Sequence, residues 1–206
     1  MRRLRTKRLA LAVCFLSVLL AVPTCVVRAS TTWPSTGSTQ SSAQLPARGY
    51  PVKVYFSEHP QSDQNATAVF AVRRISPTLA VAAFAIGQLV VGPTRTETKA
   101  GYYSALAGIL HGPSDCGGPA VRIMLNRRGQ TVEPGTATLR FCRRSMSGGI
   151  FDDVRVQSEI SRTLTQFPSI KRVVILDRSG HCFGDLSGRD ICLRPLAPRT
   201  AMLPLY

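Results

Sequence analysis

The sequence predicts an α/β (α+β) domain in which two helices pack on a small β-sheet, within a chain of 206 residues. Three observations support this prediction. Residues 151–177 form an amphipathic helix followed at once by an apolar strand, residues 77–91 form an apolar helix with clear end signals, and several short segments alternate apolar and polar residues. Helices and strands with apolar faces must cover one another to form a core.

The helix at the start of residues 151–177 is amphipathic and has defined ends. Asp152 or Asp153 is placed to cap its N-terminus, and Pro168 disfavours helix at the residue before it. The run at residues 173–176 does not alternate, so we expect a strand covered on both faces. The apolar residues of the helix recur at i, i+4, i+8 and i+11, which is one face: Val156, Ile160, Leu164 and Phe167.

The N-terminal half of the domain predicts two strands and a core helix. Residues 51–56 and 68–75 read as strands, with a polar connection between them. Ser76 is a predicted N-cap of the helix at residues 77–91, and Gly92 ends it. This helix spans about 22 Å, too short to cross a membrane, so we expect it to lie on the sheet.

The second half predicts a hairpin and a further small hairpin. Residues 93–118 read as a long connection with a helical turn near 102–106. Residues 120–125 and 136–142 pair as an antiparallel hairpin across a turn region between them. After the helix-strand unit, residues 182–193 predict a last small hairpin that precedes a Pro-containing tail.

Four of the six cysteines lie beyond the first 29 residues: Cys116, Cys142, Cys182 and Cys192. An even count in an exported chain indicates disulfides. The two predicted hairpins bring Cys116 to Cys142 and Cys182 to Cys192. The other two connectivities remain open at this point.

The N-terminus has the order of a secretory signal peptide. A basic start and an apolar run at residues 9–22 precede a cleavage site between Ala29 and Ser30. An uncleaved anchor and lipidation at Cys25 are the alternatives. We therefore expect an exported chain at the envelope of a bacterium, secreted or tethered to the membrane.

The remaining chain divides into three parts by composition. Residues 30–48 are rich in Ser, Thr, Pro and Gln and predict a flexible linker. The ordered domain is assigned to residues 49–180, and residues 181–206 to a disulfide hairpin and C-terminal tail. The domain is long enough to bury its own core.

The chain is basic. Removing the six Lys and Arg of residues 1–29 from the formal net charge of +15 leaves +9, which suggests an acidic partner such as an anionic lipid, a wall polymer or an acidic protein. Outside the cytoplasm nucleic acid is not expected. The basic pairs are solvated strand ends or, alternatively, polyanion contacts: Arg73, Arg74, Arg127, Arg128, Arg143, Arg144, Lys171 and Arg172.

The residue clusters that could carry chemistry have simpler explanations. His111, Ser114 and Asp115 lie in a Gly/Pro-rich loop without a nucleophile elbow, so we interpret them as turn formers. His181 lies beside cysteines and Asp185, but the spacing matches no zinc module. The sequence therefore predicts no catalytic residue, no metal site and no cofactor.

Two segments together resemble the GerMN domain family, named for sporulation and spore germination proteins. The first is an apolar helix that runs into a Gly-Pro turn, and the second is the later helix-strand unit. The resemblance covers residues 50–180. The matching residues are Gly92, Pro93, Thr94, Glu97 and Gly101 in the first segment, and Gln157, Ile160, Thr163, Leu164, Phe167, Pro168 and Val173 in the second.

This resemblance implies a fold like the ring-building motif, with two helices on one face of a small mixed sheet. It implies an exported protein without catalytic residues that assembles with other envelope proteins in sporulation or germination, with homo-oligomers as a further candidate. The single GerMN-like unit, the four cysteines and the C-terminal hairpin depart from the family pattern. The alternative is a module that binds wall polymer or anionic lipid through the basic pairs.

Overall fold

The computed structural model describes residues 49–195. None of the helices in this range is long and apolar enough to cross a bilayer. The strands are β1 (Tyr50–Glu58), β2 (Phe70–Ser76), β3 (Tyr102–Tyr103), β4 (Leu110–His111), β5 (Val121–Arg128), β6 (Thr131–Phe141), β7 (Arg144–Ser145) and β8 (Arg172–Leu176). The α-helices are α1 (Gln61–Gln64), α2 (Val81–Val91), α3 (Arg95–Lys99), α4 (Ala105–Ile109) and α5 (Ile150–Thr165), and a 3-10 helix covers Ile191–Leu193.

The strands form three small sheets. The first has the order β2-β1-β3, the second pairs β4 with β7, and the third has the order β5-β6-β8. In the third sheet β5 and β6 are antiparallel, whereas β6 and β8 are parallel, so this sheet is mixed. The parallel pairing is possible because α5 provides the crossover connection between β6 and β8.

The core lies between α2, α5, β1 and the mixed sheet. Helices α2 and α5 contact each other and both pack on β1, and α5 also packs on β8. Three of the four residues predicted for the apolar face of α5 are fully buried, and Phe167 packs against the same core. The α+β class with two helices and a mixed sheet is thus confirmed, although the strands divide among three sheets.

Helix α5 covers an edge of β1 through its side chains. Three alternate N–H groups of β1 donate to side-chain oxygens of the segment from Glu159 to Gln166. The pairs are Lys53 N–H to Gln166 Oε1 at 2.8 Å, Tyr55 N–H to Thr163 Oγ1 at 3.0 Å, and Ser57 N–H to Glu159 Oε1 at 3.1 Å. The helix therefore satisfies backbone donors that a neighbouring strand would otherwise bind.

Both long helices begin at residues other than the predicted ones. Helix α2 begins at Val81 because Ser76 Oγ is engaged in a turn with Thr78. The N-cap of α5 is Gly149 without a side-chain cap, and the Asp152 carboxylate accepts from the N–H of Gly148. The predicted caps were therefore wrong.

The connection after α2 is more structured than predicted. Thr94 and Glu97 form a capping box at the start of α3, and Ser104 caps α4. The hairpin of β5 and β6 is also longer than predicted, because its ladder resumes after an irregularity at Asn126 and turns tightly at 129–130. The sequence prediction placed this whole stretch in a turn.

The four cysteines form two disulfides. Cys116 bonds to Cys142 and Cys182 to Cys192, with Cα–Cα distances of 5.5 and 5.9 Å. This is the predicted pairing. However, residues 182–193 form turns and a 3-10 helix rather than a hairpin, because only an isolated bridge links Cys182 to Leu176.

Several predictions lie outside the described residues. These are the signal peptide with its cleavage site between Ala29 and Ser30, the linker of residues 30–48 and the tail beyond Pro195. They stay predictions.

Candidate protein-docking surface

Helix α2 is apolar apart from Gln88, and within residues 49–195 only one of its sides is covered. Ala85, Ile86 and Leu89 are fully buried in the core. Val91 at the end of the helix and Leu79 just before it are each 77% exposed. The prediction of a core helix thus holds for one face, whereas the other face presents apolar side chains at the surface.

Strand β5 lies opposite this surface of α2. Two hollows of about 340 and 290 Å³ lie between the two elements, and they share Ala83 and Ile123 in their linings. We call the two hollows together the α2–β5 groove. Its lining includes Leu79, Val81, Ala83, Gly87 and Val90 from the α2 side, Val121, Ile123 and Leu125 from β5, and Phe167 and Ile170 from the segment after α5.

Gly87 lies on the groove side of α2. A Cβ atom added at Gly87 would have no atom within 4 Å. Glycine inside a helix costs about 0.5–1 kcal/mol relative to alanine. The helix therefore carries an unfavourable residue at a position where its own packing does not require one, and this residue keeps the groove open.

The segments that form the groove carry only positive charge. The segments that line it are residues 77–91, 119–128 and 166–171, and they contain no Asp or Glu. Their charged residues are Arg122, Arg127, Arg128 and Lys171. An apolar groove built from segments of positive charge suits an apolar segment that carries acidic residues.

Three of the eight basic residues considered as polyanion contacts are engaged in ion pairs. Arg74 binds Glu97 through both terminal nitrogens, and Arg128 and Arg172 both bind Glu133. The hydrogen bond from Arg74 lowers the pKa of Glu97 to about 2. The pKa of Glu133 is also lowered, first by a hydrogen bond from Thr136 and then by Arg128.

The basic pairs do not lie at one place in the fold. Arg143 and Arg144 follow the C-terminal end of β6, whereas Arg172 pairs with Thr136 in the first half of β6. Arg73 belongs to a different sheet, on β2. The structure thus brings Arg128 and Arg172 together through Glu133 and leaves the remaining pairs apart.

The loop residues considered for hydrolysis serve to hold the loop. Ser114 Oγ donates to the carbonyl of Pro119 at 2.6 Å. The Asp115 carboxylate binds Arg140 and Arg178 at 3.2 and 3.1 Å, so it is not available to orient His111. This agrees with the interpretation of these residues as turn formers.

Two places bring cysteine and aspartate side chains close together, namely Asp115 with Cys116 and Cys142, and Cys182 with Asp185 and Asp190. In the first place the two cysteines are bonded to each other, and in the second Cys182 is bonded to Cys192. A disulfide sulfur is not the thiolate that metals bind. Asp190 instead accepts from the N–H of Cys182 and from His181. The hydrogen bond to Asp190 raises the pKa of His181.

One cluster was missed by the sequence analysis. His59 Nδ1 lies 2.6 Å from Asp63 Oδ2, and its ring stacks on Tyr103 at 4.4 Å. The hydrogen bond from His59 lowers the pKa of Asp63, and burial raises that of Tyr103. The i, i+4 spacing of His59 and Asp63 was the available signal, but Tyr103 comes from a distant part of the sequence.

Comparison with known proteins gives similarity in structure. No protein-family model matches the chain, and no curated protein matches it. The chain is similar to the tandem GerMN domains of the sporulation protein GerM from Bacillus subtilis, at 18% identity and a TM-score of 0.37. The match covers 71% of this chain and 47% of that one, so the chain spans about half of that structure's length.

Proposed function

We propose that this chain is an exported, non-catalytic protein that docks an envelope protein in the α2–β5 groove and thereby acts in assembly at the cell envelope. The observation that carries this proposal is the uncovered apolar face of α2 opposite β5. Sporulation or germination is the process that the GerMN resemblance suggests. The disulfides favour an oxidising location outside the cytoplasm.

The uncovered apolar surface is the reason for proposing a protein partner. Monomeric proteins expose single apolar residues commonly, but a contiguous apolar patch is characteristic of an interaction site. The groove runs along α2 beside β5, from Leu79 at one end to Val90 at the other. Burying this surface against a partner would contribute about 25 cal/mol per Å² of apolar area removed from water.

The experiment is in-cell crosslinking of a tagged copy in its own host, with Gly87→Leu as the blocking variant. A leucine at position 87 fills the groove without meeting another atom at its Cβ. Gly108→Leu is the matched control, because Gly108 is an exposed helical glycine with equally open space around its Cβ. We expect one or two envelope proteins to be recovered with wild type and Gly108→Leu and lost with Gly87→Leu. Equal recovery with all three proteins would contradict the proposal.

The second candidate function is binding of wall polymer or anionic lipid. The basic residues without an ion pair among the described residues favour it, and they include Arg73, Arg127, Arg144 and Lys171. Reversal of these four charges leaves the pairs of Glu97 and Glu133 intact. If the variant pellets with walls or anionic vesicles as wild type does, this candidate is wrong. If the variant fails to pellet, as wild type would at high salt, the result supports this candidate.

A further inference from the structure

The outer edge of β5, beside the groove, has backbone groups with no partner among residues 49–195. The N–H of Cys142 donates to the carbonyl of Ala120 at 2.8 Å, which fixes the pairing phase of β5 with β6. In an antiparallel ladder, alternate residues turn their backbone groups to opposite edges. The backbone N–H and C=O groups that face away from β6 are therefore those of Val121, Ile123 and Leu125.

No hydrogen bond within residues 49–195 reaches the backbone groups of these three residues outside the β5–β6 ladder. The side chains of the same residues line the α2–β5 groove. The edge thus offers backbone donors and acceptors and, next to them, apolar space for alternate side chains. An extended peptide that adds to a sheet edge uses these two features together.

We propose that the partner segment is an extended strand that adds to the outer edge of β5. Its alternate apolar side chains enter the α2–β5 groove, and its acidic residues lie on the opposite face of the added strand, near Arg122. This inference rests on the proposed docking function and specifies the shape and chemistry of what docks. The backbone bonds supply affinity, whereas the groove and the positive charge of β5 select the sequence.

The charge of this chain argues against its own segments as the occupant. All 11 acidic residues of the chain lie within residues 49–195, so neither residues 30–48 nor residues 196–206 contain an Asp or Glu. A second copy pairing β5 with β5 would bring Arg122, Arg127 and Arg128 of both copies together. Like charges opposite each other on paired strands are destabilising.

The test uses a defined probe, the peptide Glu-Val-Thr-Val-Thr-Val-Glu with blocked ends, added to the full exported chain. We expect amide exchange at Val121, Ile123 and Leu125 to slow at least about tenfold on binding, because these N–H groups gain acceptors, while Arg122 is unchanged. A scrambled peptide of the same composition should give no protection. Replacing both Glu by Lys should weaken binding several-fold. Equal protection by the scrambled peptide, or none by the probe, would overturn strand addition.

Val121→Pro tests the same edge in the host. Its ring removes an N–H that faces outward, so no bond to β6 is lost, and Val121→Thr is the control that keeps the N–H. We expect Val121→Pro to lose the partner recovered by in-cell crosslinking.

If Gly87→Leu loses the partner but Val121→Pro retains it, docking stands and strand addition is wrong. If Gly87→Leu retains the partner, the docking function itself fails. If Val121→Pro folds poorly, the amide-exchange experiment with the peptide still tests strand addition, because it uses the wild-type chain.

Discussion

The carboxylate of Glu159 on α5 accepts hydrogen bonds from both the N–H and the hydroxyl of Ser57 on β1, at 3.1 and 2.9 Å. It also accepts from the N–H groups of Ala105 and Leu106 at the start of α4. One fully buried side chain thus joins α5, β1 and α4. Burial raises the pKa of Glu159 to about 7, although the four donors favour its ionised form.

This pKa predicts that stability depends on pH through Glu159. The carboxyl binds a proton more tightly in the folded state than in the unfolded state, so its contribution to stability is complete below about pH 4.5 and is lost as the pH rises through about 7. The loss is at most about 3 kcal/mol. Glu159→Gln does not titrate, so we expect the wild-type free energy of unfolding to fall relative to that of Glu159→Gln between pH 5 and pH 8.

Urea unfolding of both proteins at these two pH values measures this. Glu159→Gln should cost about 1–3 kcal/mol at pH 5, because its amide N–H₂ faces backbone donors, and less at pH 8. Glu58→Gln, at the end of β1, is the matched control for the change from glutamate to glutamine. A difference between wild type and Glu159→Gln that is independent of pH would contradict the prediction.

The pair of Arg74 and Glu97 predicts the opposite pH dependence. The pKa of Glu97 is lowered to about 2, so its stabilisation is present above the unfolded pKa near 4.5 and is lost as the pH falls towards 2. We expect Glu97→Gln to destabilise by about 1–3 kcal/mol at neutral pH and by little near pH 2. Thermal unfolding across this range checks it. Arg74→Lys keeps the charge but loses the two-nitrogen contact, so an unchanged stability of this variant would argue against that geometry.

Gly87 predicts a stabilising substitution. Gly87→Ala should raise the free energy of unfolding by about 0.5–1 kcal/mol, because the helix gains a better helix former and the new methyl group meets no atom. Gly92→Ala should destabilise, since Gly92 has a φ of 86° that side chains disfavour. Chemical denaturation compares the two variants with wild type. Destabilisation by Gly87→Ala would mean that position 87 is covered and the groove is closed.

The disulfide Cys182–Cys192 is expected to stabilise the C-terminal turns. Its sequence separation is 10, for which the chain-entropy model gives about 3 kcal/mol. Replacing both cysteines by alanine should lower the stability of the whole domain by about that amount, since Leu193 and Cys192 pack on Val174 and Leu176 of β8. Partner recovery should persist, because the α2–β5 groove lies elsewhere. Loss of partner recovery at unchanged stability would contradict this.

The sequence predicts the parts of the fold that depend on local periodicity. The spacing of Val156, Ile160 and Leu164 identifies the core face of α5, and the turn signals around the β5–β6 hairpin bring Cys116 to Cys142. It does not predict the cap of α2, because Ser76 is equally suited to the turn that it forms with Thr78. Local signals of this kind do not decide between competing uses of one side chain.

The candidate site depends on contacts that no local pattern specifies. An apolar run such as residues 81–91 indicates burial, but the sequence does not say that one face would remain uncovered beside β5. Glu159 sits on the same face as Ile160 and Thr163 and is read as a surface residue until Ser57 and α4 are placed around it. Tertiary packing decides both features.

The most direct test of the docking account is site-specific photo-crosslinking in the host from two positions. One photoreactive residue replaces Ala83 in the groove, and the other replaces Ser161 on the polar side of α5. The account predicts that one envelope protein is crosslinked from position 83 and not from position 161, and that Gly87→Leu removes this product. Crosslinking from position 161 alone, or recovery only of wall polymer or lipid from position 83, would contradict it.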